Sequence, residues 1–350
     1  MDNVLCFYAG KKVLITGHTG FKGAWLSQAL LNAGADVFGY ALNPPTQPNL
    51  YSLAEIDSNI NSVIADIRDL DKLKAVFETA KPEIVFHLAA QPIVKEGYKN
   101  PVETYSTNVM GTVNLLECVR ITDSVKSVVN VTTDKVYENK EWCWGYREDD
   151  RLNGLDPYSN SKSCSELVTY SYIQSFFKER KLPISTMRAG NVIGGGDFAP
   201  NRIIPDCIRS VLKKQKIIVR NPYSIRPYQH VLEPIMSYLL VAKRQYENFN
   251  IAGCYNIGPD DKDCITTGEL VDIFCNKWAD GASWLHQSEI NAPHEANFLR
   301  LDSSKIKKVL DWKPKWNVNT AIEKTVEWTK EWKENNNISD IMDKQIRQYI

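Results

Sequence analysis

Tyr158 and Lys162 stand four residues apart in a segment with helical spacing. On a helix that spacing puts both side chains on one face. An isolated phenol titrates at about 10, and a neighbouring ammonium favours the phenolate. The pair can therefore take a hydroxyl proton while hydride leaves the same carbon. Ahead of it runs Val131-Thr132-Thr133-Asp134-Lys135-Val136-Tyr137, read as a strand end. Thr133 offers a hydroxyl to the same substrate oxygen. Asp134 can protonate a departing hydroxyl if enclosure raises its affinity for protons. Lys135 can be a base, a charge partner for Asp134 or an enolate stabiliser. Oxidation alone needs only the Tyr/Lys pair. The added acid and amine suggest that something is eliminated as well. The bland alternatives are a solvated turn at 134–135 and an amphipathic surface pair at 158 and 162.

These residues need a scaffold that brings strand ends together. Lys12 to Thr16 is a short apolar run, and further strands are expected at 36–40, 61–66, 83–88, 128–131 and 184–188. Helical patterns fall between them at 24–33, 70–80, 102–120 and 157–178, the last with Asp156 as N-cap and Pro157 in its first turn. This alternation predicts an α/β, Rossmann-type, doubly wound parallel sheet. Beyond about residue 190 it weakens into glycine- and proline-punctuated pieces. We expect residues 1–190 to form the NAD(P)-binding domain. Residues 191–350 are expected mainly as a smaller mixed α/β substrate-binding domain, with some segments returning to the first. The Lys/Glu/Asn-rich tail after Trp332 reads as a solvated helix.

Thr16-Gly17-His18-Thr19-Gly20-Phe21-Lys22-Gly23 lies between a strand and a helix. Three glycines there can let backbone N–H groups cradle a pyrophosphate. Asp66 and Ile67 follow the third strand, where an adenine can sit. Leu88, Ala89 and Ala90 end the fourth with small residues that admit a cofactor. No acidic residue ends the second strand to read a ribose 2′-hydroxyl. Lys22 can meet a 2′-phosphate or face solvent, so NADP stays open beside NAD.

Composition narrows the class further. The 350 residues are 43% hydrophobic, with 42 basic and 42 acidic side chains. This neutral balance points to neither nucleic acid nor an anionic membrane. No apolar run approaches a transmembrane length, and no signal peptide is evident. Eight scattered cysteines without a Cys-x-x-Cys pair argue against a zinc site or a disulfide framework. A reducing, cytoplasmic setting is the expectation.

Several segments together resemble one family. They are residues 17–23, Phe86 to Pro92, Tyr105 to Thr112, Trp142 to Glu148, Asp156 to Lys162, Arg188 to Asp197, Asn221 to Pro227 and Pro293 to Ala296. Across roughly residues 6 to 330 the chain is similar to the sugar-nucleotide 4,6-dehydratases of the extended short-chain dehydrogenase/reductase superfamily. Lys135, where the wider family often has Glu, matches the CDP-glucose branch. The resemblance implies a lyase of deoxysugar biosynthesis, such as that of lipopolysaccharide O-antigen. It implies oxidation at carbon 4 by Tyr158, loss of water across carbons 5 and 6 with Asp134 as acid, and hydride return to carbon 6. It implies NAD contacts from residues 17–23, Asp66, Ile67, Leu88 to Ala90, Thr107, Val131, Tyr158 and Lys162. Substrate contacts are implied at Gln91, Tyr98, Asn191, Arg202, Arg220, Arg226, His230 and His294, the arginines suiting a diphosphate. A homodimer or homotetramer is implied by analogy. Rival readings are another nucleotide-sugar dehydratase or 4-epimerase, or a cofactor-binding protein without catalysis.

Overall fold

The computed structural model describes residues 4–287 and 298–350. His294 and the motif around it lie outside the described residues. The central sheet contains β1 (Lys12–Thr16), β2 (Asp36–Ala41), β3 (Asn61–Ile64), β4 (Ile84–His87), β5 (Ser127–Val131) and β6 (Ile184–Ala189). An edge strand, Cys254–Ile257, completes it. The order is β3-β2-β1-β4-β5-β6 and then the edge strand, all parallel. Both faces are covered, so the inner strands read as continuous apolar runs rather than alternating ones. Val13, Leu14, Ile15, Val85, Phe86, Val128 and Val129 are buried accordingly.

The order reverses between β1 and β4, which opens a crevice outside their carboxyl ends. Thr16 and His87 face each other there in register. Thr16 Oγ1 lies 2.7 Å from His87 Nδ1 across the crevice floor. Burial, with Lys162 nearby, pulls the His87 pKa down to about 3, so the ring is a neutral hydrogen-bonding link.

Three elements depart from the sequence reading. The edge strand Cys254–Ile257 was not expected; it pairs with β6 through only four residues, inside the region where the alternation fades. The helical pattern at 102–120 is broken by a wide turn at Ser106–Met110, between Pro101–Tyr105 and Gly111–Arg120. Such turns add a residue to the helix and often mark functional sites. Here Asn108 uses it to accept from Gln91 N at 2.8 Å and to donate to Ser161 Oγ at 2.8 Å.

The tail after Trp332 is the third departure. Its helix, Ile338–Tyr349, buries Ile338, Ile341, Met342, Ile346 and Tyr349. It packs on the helices Phe21–Asn32 and Val318–Lys333. Its lysines, aspartates and glutamines disguised an apolar stripe at helical period. Tyr349 donates to Glu233 Oε2 at 2.6 Å, while the Lys315 and Trp316 amides donate to Oε1. Burial nevertheless pushes the Glu233 pKa up to about 7. The folded protein then binds this proton more tightly than the unfolded chain, whose glutamates titrate at about 4.3. Glu233 therefore makes stability fall as pH rises from about 4.5 to 7. We expect Glu233→Gln to melt progressively higher relative to the parent between pH 5 and pH 8. An unchanged difference across that range would remove this role.

Candidate active site

The helix Pro157–Tyr172 begins as its first residues imply. Asp156 caps it through Ser159 N at 3.0 Å, and Pro157 fills its first turn. Tyr158, Lys162 and Glu166 follow at steps of four and share one face. All three are buried, at 9%, 4% and 3% exposure. Lys162 Nζ donates to the Val131 carbonyl at 3.1 Å, which ties the helix to the end of β5. Burial lowers the Lys162 pKa to about 8, with Glu166 opposing.

The pKa of Tyr158 is pushed up to about 12 by burial first, against which the nearby Thr133 hydroxyl pulls down; Asp134 raises it and Arg202 lowers it. The protein's own field thus keeps the phenol protonated. Positive charge must arrive beside it before it can act as a base near neutral pH. Gly97, on the short helix Val94–Lys99, backs this residue closely. A Cβ at Gly97 would lie 3.1 Å from Tyr158 N.

Beyond β5 the chain turns through Asp134–Val136, with Thr133 Oγ1 accepting from Lys135 N at 3.4 Å. Asp134 is 1% exposed. Its Oδ1 accepts from Thr133 Oγ1 at 3.0 Å and pairs with Lys135 Nζ at 3.4 Å. Its Oδ2 has no hydrogen-bond partner among the described residues. Gly190 lies against that oxygen, where a Cβ would stand at 3.1 Å. Asn191 Oδ1, next in the chain, is likewise unpartnered. Two acceptor oxygens, Asp134 Oδ2 and Asn191 Oδ1, are therefore left without a partner among the described residues.

This turn is held on both sides by a buried ion pair. Arg188, from β6, grips Glu166 with Nε to Oε1 at 2.9 Å and Nη2 to Oε2 at 3.0 Å. Thr132 donates to Glu166 Oε1 at 2.5 Å, and Thr186 to Oε2 at 2.6 Å. Arg188 Nη1 also donates to Tyr137 Oη and the Glu148 carbonyl, both at 2.8 Å. Thr132 and Tyr137 bracket Thr133-Asp134-Lys135. Burial opposes the Glu166 carboxylate, but the Arg188 charge and the hydrogen bonds hold its pKa below the usual range. Glu166 was missed in the sequence, although its spacing from Tyr158 and Lys162 could have flagged it.

The glycine turn forms between β1 and the helix Phe21–Asn32. Gly17 adopts φ +80°, and a Cβ there would strike Ala89 N at 2.7 Å. Gly23 closes on the Gly17 carbonyl, which a Cβ would meet at 2.1 Å. Gly20 has only that carbonyl near its Cβ position, at 3.4 Å, and no side chain caps the helix start. The first-turn amides are thus left to a ligand, with half-buried Leu88, Ala89 and Ala90 opposite. This donor set fits a dinucleotide pyrophosphate.

Other predicted residues are placed differently. His18 is fully buried, with Nε2 2.8 Å from Ser62 Oγ and its ring edge-on to Tyr51. Burial takes its pKa to about 4, and its Nδ1 has no hydrogen-bond partner among the described residues. Thr19 Oγ1 donates to the Leu42 carbonyl. The Asp66 carboxylate is occupied by Arg68, and Ile67 packs on Gly111. Gln91 spends its amide on Thr104 and on the Ile93 N–H. Thr107 lies in the wide turn, and Tyr98 is half exposed on the helix of Gly97.

His230 requires a correction. It has no exposed surface, sits between Trp25 and Trp316, and accepts from Leu232 N at 3.2 Å. It is a packing residue, not a nucleotide contact. Arg202 pairs with Asp197 at 2.9 Å and acts electrostatically on Tyr158 and Lys22. The charges acting on Lys22 are those of Arg202, Lys162, Asp134 and Lys135. Arg226, buried in Ile225–Pro227, neighbours the Pro227 that packs on Gly190. Arg220 follows the short strand Ile217–Val219.

A family model described as GDP-mannose 4,6 dehydratase matches residues 14–325. The chain belongs to this family. It is 51% identical over 322 residues to a CDP-glucose 4,6-dehydratase of Salmonella typhimurium, covering 90% of this chain and 89% of that one. Among solved structures, it resembles a dTDP-glucose 4,6-dehydratase of Bacillus anthracis in complex with NAD. There the TM-score is 0.78 at 22% identity, covering 94% of this chain and 100% of that one. A UDP-glucose 4-epimerase of Thermotoga maritima, solved with UDP-glucose, gives 0.80 at 21% identity, over 91% and 99% of the two chains. At those identities the likeness is one of fold.

Removing the Glu166 carboxylate leaves Arg188 charged and buried without its partner. We expect Glu166→Ala to lower unfolding stability by about 3–5 kcal/mol, measured by urea denaturation. A loss within the range of ordinary surface substitutions would contradict the anchoring role.

Proposed function

We propose that this chain converts CDP-glucose to CDP-4-dehydro-6-deoxyglucose and water, with NAD as a recycled cofactor. The carrying observation is the buried Asp134 Oδ2, unpartnered among the described residues between Thr133 and Lys135, in a chain 51% identical to a CDP-glucose 4,6-dehydratase. The uncapped helix start, the turn at Gly17 to Gly23, Leu88 to Ala90 and Lys162 would hold NAD. When bound, NAD supplies the acceptor, and later the donor, of one hydride.

The remaining work belongs to the chain. Tyr158 takes the proton of the carbon-4 hydroxyl, and Thr133 orients the same oxygen. The 4-ketone acidifies carbon 5. Asp134 Oδ2 gives a proton to the departing carbon-6 hydroxyl, while Lys135 stays paired to Oδ1. Lys135 has two openings in this scheme: as the base that takes the carbon-5 proton and returns it when hydride reaches carbon 6, or as the charge that steadies the enolate while solvent takes and returns that proton. Asn191, Arg202, Arg220 and Arg226 bind the nucleotide diphosphate, where guanidinium forks suit paired phosphate oxygens. In this reading the functional boundary falls near residue 190.

We also place the enzyme in a homodimer of the cytoplasm, feeding deoxysugar assembly such as that of O-antigen. Val102, Met110, Leu167 and Tyr170 are 83%, 50%, 56% and 64% exposed on the helices that flank the site. An apolar patch of this kind fits a second copy. All eight cysteines are unpaired, which suits a reducing compartment.

Incubation with CDP-, dTDP-, UDP- and GDP-glucose should yield a 4-keto-6-deoxy product from the CDP sugar, read by mass and NMR. No dehydration of any of them would end the proposal. Asp134→Asn should slow elimination more than oxidation, so that reduced cofactor absorbance accumulates during a single turnover. Equal slowing of both steps would take the acid role from Asp134.

A further inference from the structure

Two glycines stand behind the two groups that move protons. Gly97, on the helix Val94–Lys99, lies against Tyr158, and Gly190, which follows β6, lies against Asp134. Neither takes a positive φ, so the left-handed region is not what requires glycine there. What excludes a side chain is close approach. A Cβ at Gly97 would stand 3.1 Å from Tyr158 N and 3.4 Å from Tyr158 Cβ. A Cβ at Gly190 would stand 2.6 Å from Pro227 Cγ and 3.1 Å from Asp134 Oδ2.

Close-packed neighbours accommodate an added methyl by moving, not by compressing. At Gly97 the neighbour is the backbone of Tyr158 itself. Its helix is capped by Asp156 at Ser159 N and tied through Lys162 to the Val131 carbonyl. Gly154 packs on the same turn, where a Cβ would strike the Ser159 backbone, and its carbonyl accepts from Asn160 Nδ2 at 3.1 Å. Any shift at Gly97 is therefore passed to Tyr158. At Gly190 the two neighbours differ. Pro227 is a closed ring, set in a strand pair opposite Cys264. Two residues on, Gln229 N donates to the Asn191 carbonyl at 3.0 Å and fixes the distance between the segments. Asp134 Oδ2 is the end of a side chain and has no hydrogen bond of its own among the described residues. The carboxylate is the partner that yields.

We propose that Gly97 and Gly190 are positioning residues, each setting one proton-transfer group: Gly97 places Tyr158 for the oxidation, and Gly190 places Asp134 for the elimination. This rests on the reaction proposed above. The two contacts lie on different elements and share no atom, so the two steps are tuned separately. A methyl added at one glycine disturbs one step and spares the other.

Full-length protein loaded with NAD is mixed with CDP-glucose and followed through a single turnover. Reduced-cofactor absorbance and 4-keto-6-deoxy product are both read, and each rate is normalised to the folded fraction from a melting curve. Gly97→Ala should slow cofactor reduction by about tenfold or more, the scale set by misplacing a reacting group by part of an ångström. Reduced cofactor should then not accumulate. Gly190→Ala should reduce the cofactor at close to the parent rate and slow elimination by a similar factor, so that reduced cofactor accumulates. Combining Gly190→Ala with Pro227→Ala removes the ring contact and keeps the one with Asp134; accumulation should persist, and this pair carries the test if Gly190→Ala alone does not fold. Loss of accumulation once the ring is gone overturns the role toward Asp134. Equal slowing of both steps by either glycine variant overturns the proposal, as does a loss no larger than the unfolded fraction. A parent that neither reduces its cofactor nor forms product would instead overturn the function proposed above.

Discussion

Everything at the carboxyl end of the sheet depends on one buried ion pair. Glu166 and Arg188 are each 2–3% exposed, and their four oxygen and nitrogen contacts join β5, β6 and the helix of Tyr158. Such a pair adds little stability over a well-packed apolar substitute. What it adds is orientation. It binds Thr132 directly and Tyr137 through Arg188, and Thr133, Asp134 and Lys135, the residues proposed for the chemistry, lie between them. An apolar core would leave that turn to find its own conformation.

The site is also defined by which groups are denied charge. His18 and His87 are driven by burial toward the neutral form, and Tyr158 is kept protonated. The charges of Arg202, Lys162 and Lys135 act on Lys22, with Asp134 the one acid among them. A site of this kind favours anionic ligands. Burial holds the phenol toward its protonated form, so added positive charge beside it would ease proton removal.

Much of this was legible in the residues. The strand–helix alternation predicted six strands of the central sheet. The Asp156-Pro157 start placed Tyr158 and Lys162 on one face. What escaped had physical causes. Cys254–Ile257 is a short polar-interrupted run whose pairing with β6 is a long-range fact. Glu166 and Arg188 look unremarkable alone, because a buried pair is visible only when both partners are placed. His230 carried the donor chemistry of a ligand contact, yet two tryptophans enclose it. The C-terminal helix was concealed by charge density that masked its apolar period.

That helix braces the element that carries the glycine turn. Gln28 donates to Asp343 at 2.7 Å and to Ser339 at 3.0 Å. Gln28 lies on the helix Phe21–Asn32, whose first turn follows those glycines. The face of that helix turned away from the turn is therefore covered by residues more than 300 positions along the chain. A substitution in the apolar stripe of Ile338–Tyr349 would loosen a pocket it never touches.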